Sequence, residues 1–394
     1  MNREENLVIA GLFSGIGGFE LAFQSVGSHS EVLCEIDPVA KSVLTHRFPT
    51  SQLISDVREI DRLPERVNTL CAGFPCQDLS SVGLKEGMEG ERSSLITEVF
   101  RILRIKPVEW VVIENVAFML RLKKGEAIRY ITRELERLGY NWAYRVIDSA
   151  AFVPQRRERV YIVATLHYDP REILLADNCD ENRFVYADYS IKSDKPIGFY
   201  WTEGKYSLGI AYDAIPTLKA GSTIGIPSPP AIAYPNGFVA TPDIRDAERL
   251  QGFPVDWTLP AITKARESIR WRLVGNAVTV DVVKWIANRI KTPGVYCANG
   301  DKELSNRQAM PKAAWHFNGV TCEANVTHWP LANQGEGLEE FLRFDAKPLS
   351  QKATTGFLNR VACGGLRTPQ GFVEILQQHK NATEALKNGL SRNV

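Results

Sequence analysis

The stretch from Leu7 to Gly18 constrains the fold most. A continuous apolar run, Leu7 to Phe13, leads straight into Ser14-Gly15-Ile16-Gly17-Gly18. A helical pattern follows from Phe19 to Val26, with Gly27 near its end. An unbroken apolar run of this kind suits a strand buried on both faces, as parallel strands between helices are. Glycines placed between that strand and its helix let the backbone turn tightly and approach a ligand.

The same unit recurs through residue 166. Val32 to Ile36, Val67 to Ala72, Trp110 to Ile113 and Arg159 to Leu166 read as further strands. Helical spacing runs through Val39, Val43 and Leu44, then through Leu95, Val99, Ile102 and Leu103. A third helix is expected over Ala127 to Leu138, stopping at Gly139. Strands alternating with helices predict an α/β fold with a mostly parallel sheet and helices on both faces. From His167 to Thr241 the chain turns rich in Gly, Pro, Tyr and Asp, with Pro227, Pro229 and Pro230 in one cluster. That predicts a loop-rich second domain with a few short strands. Helical patterns return at Ile244 to Leu250, Val278 to Ile290 and Phe372 to Gln378. A chain of 394 residues is long enough for two or three domains.

Composition excludes several classes. Lys+Arg is 47 and Asp+Glu is 46, which argues against a wholly basic, histone-like binder and against an acidic disordered chain. The balance hides an uneven distribution. Basic side chains are in excess between residues 91 and 160, from Arg92 through Lys123, Lys124 and Arg129 to Arg159, whereas residues 167 to 241 run slightly acidic. The seven cysteines form no CxxC pair, so neither a disulfide framework nor a metal site is expected. The charged start, MNREEN, and the lack of a long apolar window predict no signal peptide and no membrane span. A soluble, cytoplasmic protein is the expectation.

Four constellations carry candidate chemistry. The first is Phe13 to Gly18, with Glu35 about twenty residues on and Asp56 after the third strand. A carboxylate at that spacing suits the ribose hydroxyls of a nucleoside, and no Walker lysine is present. Taken alone, the glycines fit an ordinary tight turn equally well. The second is Gly73-Phe74-Pro75-Cys76-Gln77-Asp78-Leu79-Ser80, just past a strand. A thiol held there by Pro75 is placed for nucleophilic work, although a buried structural cysteine is the commoner fate. The third is Ile113-Glu114-Asn115-Val116, where burial would favour a protonated, proton-donating Glu114. A helix cap or a core ion pair fits that acid as well. In the fourth, Gln155-Arg156-Arg157-Glu158-Arg159, alternation along an extended chain puts Arg157 and Arg159 on one side.

In their order, these stretches resemble the DNA (cytosine-5)-methyltransferase family of bacterial and phage type. The resemblance rests on FSGIGG (13–18), EID (35–37), GFPCQDLS (73–80), IENV (113–116), QRRERVYIV (155–163), RDAERLQGFP (245–254) and VGNAVTV (274–280). It implies a Rossmann-like domain that uses S-adenosylmethionine, plus a small target recognition domain. It assigns the nucleophile to Cys76, the acid at ring nitrogen 3 to Glu114, the hold on the base carbonyl to Arg159, and site orientation to Arg157. It places Phe13, Gly15, Ile16, Gly17, Gly18, Glu35, Ile36, Asp56, Val57, Pro75, Asn276 and Val278 around the cofactor. Gln77, Ser80, Arg92, Ser93, Asn115 and Gln251 are expected at the DNA. Two departures stand out. Gly11 occupies a position where many relatives have Asp, and Thr241-Pro242-Asp243-Ile244-Arg245 replaces a Thr-Pro-Arg-Glu lead.

The resulting expectation has a catalytic domain over residues 1–166, a recognition domain over 167–265 and a return to the catalytic domain over 266–292. A C-terminal extension over 293–394 completes the chain. Lys192, Lys195, Lys205, Lys219 and Arg183 are candidate phosphate contacts, with Ser222 and Thr223 near base edges. Trp315, Phe317 and Trp329 suggest a small packed cap after residue 292. The loop from Ser80 to Leu95 suits a lid, because a base inside a duplex must be flipped out to react. Double-stranded DNA is the expected partner of a monomer, together with a cognate restriction endonuclease acting on the same site.

Overall fold

The computed structural model describes residues 6–75, 95–179, 189–190, 193–203, 207–221, 229–304, 309–332 and 335–390, with side chains to 386. Cys76, Gln77, Ser80, Arg92 and Ser93 lie outside the described residues, as do Arg183, Lys192, Lys205, Ser222 and Thr223.

The first half builds β1 (Val8–Leu12), β2 (His29–Cys34), β3 (Gln52–Ile54), β4 (Thr69–Ala72), β5 (Trp110–Val116), β6 (Asn141–Asp148), β7 (Gln155–Arg156) and β8 (Glu158–Thr165). Between them run α1 (Gly18–Gln24), α2 (Pro38–Arg47), α3 (Leu95–Ile105) and α4 (Glu126–Arg137). Strands β1, β2, β4, β5 and β8 fall on the expected apolar runs, whereas β3, β6 and β7 were not expected. Asp37 caps α2 by accepting from the Val39 and Ala40 amides, with Pro38 at the first helical position. Gly139 stands just past α4 at φ 83°, which terminates the helix where the sequence predicts.

The second half adds α5 (Arg171–Leu174), β9 (Ile197–Phe199), β10 (Ala211–Tyr212), β11 (Ile215–Pro216), β12 (Ala231–Ala233) and β13 (Val239–Thr241). Helices α6 (Ile244–Leu250), α7 (Ile269–Asn276) and α8 (Val280–Lys291) follow. Then come β14 (Lys302–Glu303), β15 (Ala313–Phe317), β16 (Val320–Glu323), α9 (Leu338–Phe341), β17 (Lys347–Pro348), α10 (Gln351–Gly364) and α11 (Phe372–Leu390).

The large sheet has the order β14-β16-β15-β6-β8-β5-β4-β1-β2-β3. Its pairing from β3 through β2, β1 and β4 to β5 is parallel throughout. The remaining pairings are antiparallel, yet seven of the ten strands point one way once directions are followed along the order. Alternate residues feed two separate cores. Ile9, Trp110 and Val112 face α1, α2 and α8, whereas Ala10, Leu12, Val111 and Ile113 face α3 and α4. That double burial explains why these strands read as continuous apolar runs.

A smaller sheet, β10-β9-β12-β13-β17, takes its last strand from far along the chain. Phe199 and Val239 pack there with Phe357 of α10 and Phe372 and Leu376 of α11. Trp315 and Phe317 are not a separate module, as the sequence suggested. They lie on β15, whose ladder with β6 makes them part of the large sheet. Among the described residues, no helix is long and apolar enough to cross a membrane, and no cluster of His, Cys, Asp and Glu could hold a metal.

Candidate active site

Strand order reverses between β1 and β4, so the loops after these strands diverge and leave a crevice at their carboxyl ends. Backbone hydrogen bonds stitch those loops together. The Ser14 amide donates to the Cys34 carbonyl at 3.0 Å, and the Glu35 amide to Ile54 at 3.1 Å. The expected cofactor residues meet along this edge.

The glycines divide by task. A Cβ on Gly17 would lie 2.3 Å from the Phe48 ring, and one on Gly18 would lie 2.7 Å from Val278 Cγ2. These two keep α1 close to its neighbours. Gly15, at φ 56°, faces open space and is the position a ligand can approach. Phe13 adopts φ 59°, which costs a non-glycine residue on the order of 1–3 kcal/mol and typifies ligand sites. Ile16 is buried, and its carbonyl accepts from Trp257 Nε1 at 2.7 Å.

Glu35 organises the edge. Its Oε2 accepts from the Gly15 amide at 2.7 Å and its Oε1 from the Asp37 amide at 2.8 Å. Burial raises its pKa, and these backbone donors oppose the rise. A carboxylate has about four acceptor sites, so lone pairs remain for two hydroxyl donors. Beside it Ile36 is 70% exposed, an apolar surface suited to a flat ring. Asp56 accepts from the Arg58 amide at 3.0 Å and remains partly exposed. Val57 departs from expectation, because its side chain is buried in the core with Ile60 and Leu63. Asn276 is exposed at the end of α7, and Pro75 is exposed after β4.

The reactive groups converge on Gly73. A Cβ there would lie 3.8 Å from Glu114 Oε2 and 4.0 Å from Val278 Cγ1. Glu114 is buried near the end of β5, and Arg159 enters on antiparallel β8 opposite Val116. That diagonal brings Arg159 Nε to 3.1 Å from Glu114 Oε1. Burial raises the Glu114 pKa, and the arginines at 159 and 157 oppose the rise.

Arg157 lies in the one-residue break between β7 and β8 and does different work. It is buried, donating to Leu218 O at 2.9 Å and to Ala277 O at 2.7 Å. It therefore clamps the late motif and the segment after β11 onto the large sheet. Asn115 and Gln251, expected at DNA, are corrected by their burial. Asn115 Nδ2 donates to Phe74 O at 3.0 Å, which fixes the loop leading to Pro75. Gln251 Nε2 donates to Ala277 O at 2.7 Å while its oxygen accepts from Gln155. Both amides are spent inside the protein. Gln155, which the sequence reading passed over as a binding residue, supplies the other half of this hub. Its burial within a run of charges was the available signal.

A cavity of about 400 Å³ opens beside Arg159. Phe118, Arg156, Glu158, Gly209 and Thr217 line it, so the edge of the large sheet and the segments before β10 and after β11 form the wall. Phe118 is largely exposed there. Lys219 is engaged by Glu203 and sits over the Tyr200 ring, which limits it as a phosphate contact.

Comparison with known proteins agrees with this geometry. The model of the C-5 cytosine-specific DNA methylase family matches residues 7–197 and 243–292. The chain is 41% identical to Type II methyltransferase M2.BsuMI of Bacillus subtilis (strain 168), over 95% of this chain and 98% of that one. It is 30% identical to Type II methyltransferase M.Bsp6I of Bacillus sp. (strain RFL6), over 72% of this chain and 98% of that one. Among solved structures, the Entamoeba histolytica methyltransferase EhMeth superposes with a TM-score of 0.53 at 18% identity, over 73% of this chain and 100% of that one. S. pombe Dnmt2 gives 0.51 at 18% identity, over 73% of this chain and 99% of that one. The likeness to these structures extends to the fold. The chain belongs to the C-5 cytosine-specific DNA methylase family, as a cytosine-5 methyltransferase that draws its methyl group from S-adenosylmethionine.

Proposed function

We propose that the protein modifies one specific double-stranded DNA sequence by a covalent route through Cys76, in a restriction–modification setting. The observation that carries this reading is the buried Glu114–Arg159 pair beside the loop ending at Pro75. Cytosine carbon 5 is a weak nucleophile. Bonding of the Cys76 sulfur to carbon 6 moves electron density to carbon 5. Glu114, whose pKa burial raises, donates toward ring nitrogen 3 and takes up part of that charge. Arg159 holds the carbonyl oxygen and keeps Glu114 oriented.

When bound, S-adenosylmethionine supplies an electrophilic methyl group on a positively charged sulfur. Gly15, Phe13, Glu35, Ile36 and Asp56 hold it, and Val278 closes the far wall. Carbon 5 takes the methyl group, with the carbon–sulfur electron pair leaving on the sulfur. A water molecule takes the carbon-5 proton, its electron pair restores the ring double bond and expels the Cys76 thiolate, and ring nitrogen 3 returns its proton to Glu114. A stacked cytosine is out of reach of these groups, so the base is turned out of the helix. The cavity beside Arg159 is where it would enter. The smaller sheet, with α10 and α11, serves as target recognition unit, with a cognate endonuclease sharing the target.

Incubation with labelled S-adenosylmethionine and mixed-sequence duplex DNA tests the reading, with tRNA as a second substrate. Label in duplex DNA is expected, sensitive to salt because phosphate contacts release counterions. Cys76→Ser should lose turnover while still binding DNA. Wild-type protein that binds the donor yet labels only RNA, or nothing, would overturn the proposal.

A further inference from the structure

Helix α1 buries an acid that the reaction above does not use. Glu20 is 0% exposed, and neither of its oxygens has a hydrogen-bond partner of ordinary geometry. Its carboxyl fills the space that Gly11 leaves in β1. A Cβ built on Gly11 would lie 1.8 Å from Glu20 Oε1 and 2.8 Å from Ser14 Oγ. Gly11 has no positive φ, so the position requires room for a carboxyl rather than backbone freedom. The acid thus lies beneath the loop whose Phe13 and Gly15 border the donor.

The groups facing it leave its charge unanswered. Glu35, at the end of β2, acts on it as a like charge. From β4 it meets the buried Cys71 thiol, and from the loop the Ser14 hydroxyl. Among the described residues, no lysine, arginine or histidine offsets its charge. Burial pushes the carboxyl up to about 7, Glu35 adds to the rise, and backbone and Ser14 contacts oppose it. A carboxyl so poised ionises more readily when a cation arrives nearby. S-adenosylmethionine brings a positive sulfur, and the demethylated product does not.

We propose that Glu20 is a further donor-recognition residue: its carboxylate, lodged at Gly11 beneath the glycine loop, answers the positive sulfur of S-adenosylmethionine and favours donor over product. This rests on the methyltransferase reading above. It gives an unpartnered buried acid and a glycine inside a strand one common reason.

Equilibrium binding of S-adenosylmethionine and S-adenosylhomocysteine at pH 8 tests it, on wild type, Glu20→Gln and Glu20→Asp. The Gln variant should bind the donor roughly tenfold more weakly, with product affinity unchanged. The Asp variant should keep part of the preference. Equal weakening of both ligands, or no change in either, would overturn the inference. A second measurement needs no variant. Calorimetry of donor binding to the wild type at pH 7, in two buffers of different ionisation enthalpy, should register release of about half a proton. No release would count against Glu20 as the receptor. A wild type that binds neither ligand would instead overturn the donor site itself, and this inference with it.

Discussion

Two buried polar regions lie side by side in this molecule and behave oppositely. In the hub of Gln155, Arg157 and Gln251, side-chain amides and guanidinium nitrogens meet carbonyls of Leu218, Leu250 and Ala277 at 2.7–2.9 Å. At the carboxyl edge of β1 and β5, neither Glu20 oxygen has such a bond, and Glu114 Oε1 has only its ion pair with Arg159. Both regions are dry and both hold titratable groups. Burial of a polar group is therefore no sign of chemistry here. What separates the two is how much hydrogen-bonding capacity is used up. The hub leaves only Arg157 Nε without a partner and holds the segment after β11 and the end of α7 in place, whereas both Glu20 oxygens are left open. An unspent buried group carries a desolvation cost of about 1–3 kcal/mol, more if charged, which the scaffold has to offset.

The strongest way to break this contrast is to neutralise the acid at the edge. Glu114→Gln should lower kcat by about 10²–10⁴-fold, the usual worth of a positioned acid, with donor affinity retained. Single-turnover kinetics beside donor titration would check it. The wild-type rate should also fall on the alkaline side, because the raised pKa keeps Glu114 protonated only below it. A rate that stays flat as pH rises would remove the acid from the mechanism.

Arg157→Met attacks the hub instead. It leaves the carbonyls of Leu218 and Ala277 unpaired, and about 2–4 kcal/mol of stability should be lost. The denaturant midpoint measures this. Activity should fall only as far as the folded fraction does. Gln251→Ala should behave likewise with a smaller loss, about 1–3 kcal/mol, and leave DNA affinity per folded molecule unchanged. Weaker DNA binding at full stability would return Gln251 to the DNA surface.

Glu20 offers the inverse case, and its sign can be worked out. Its folded pKa, about 7, lies above the ordinary 4.5. Stability from this group is thus present below about pH 4.5 and lost as pH rises through about 7. Replacement by Gln removes the loss. At pH 8 the variant should be more stable than wild type, on the order of 2–3 kcal/mol, although it binds donor less well. Urea melts at pH 5 and pH 8 would show the difference only at the higher pH.

The smallest expected effects separate the glycines. Gly15→Ala meets no neighbour, so it should cost only the roughly 1–2 kcal/mol of left-handed strain and act mainly on donor affinity. Gly17→Ala adds the contact with Phe48, which shifts its effect toward thermal stability.

Much of this was legible in the chain before folding. The runs Leu7–Phe13 and Trp110–Ile113 announced parallel strands because both of their faces are buried. Gly139 marked a helix end because caps are local chemistry. The ordered motifs named Glu35, Glu114 and Arg159, which the structure brings to one edge of the large sheet. The folded structure alone decided where neighbouring residues of those motifs point. Arg157 and Arg159 are two positions apart in the chain, yet one clamps carbonyls and the other meets Glu114. Asn115 and Gln251 turned inward, and β6, β15 and the C-terminal helices found their sheets only through distant partners. Such assignments depend on contacts between residues far apart in sequence, such as Gly11 with Glu20 or Arg157 with Ala277. A strand or a cap depends on its immediate neighbours, and a satisfied carbonyl depends on what the rest of the chain brings to it.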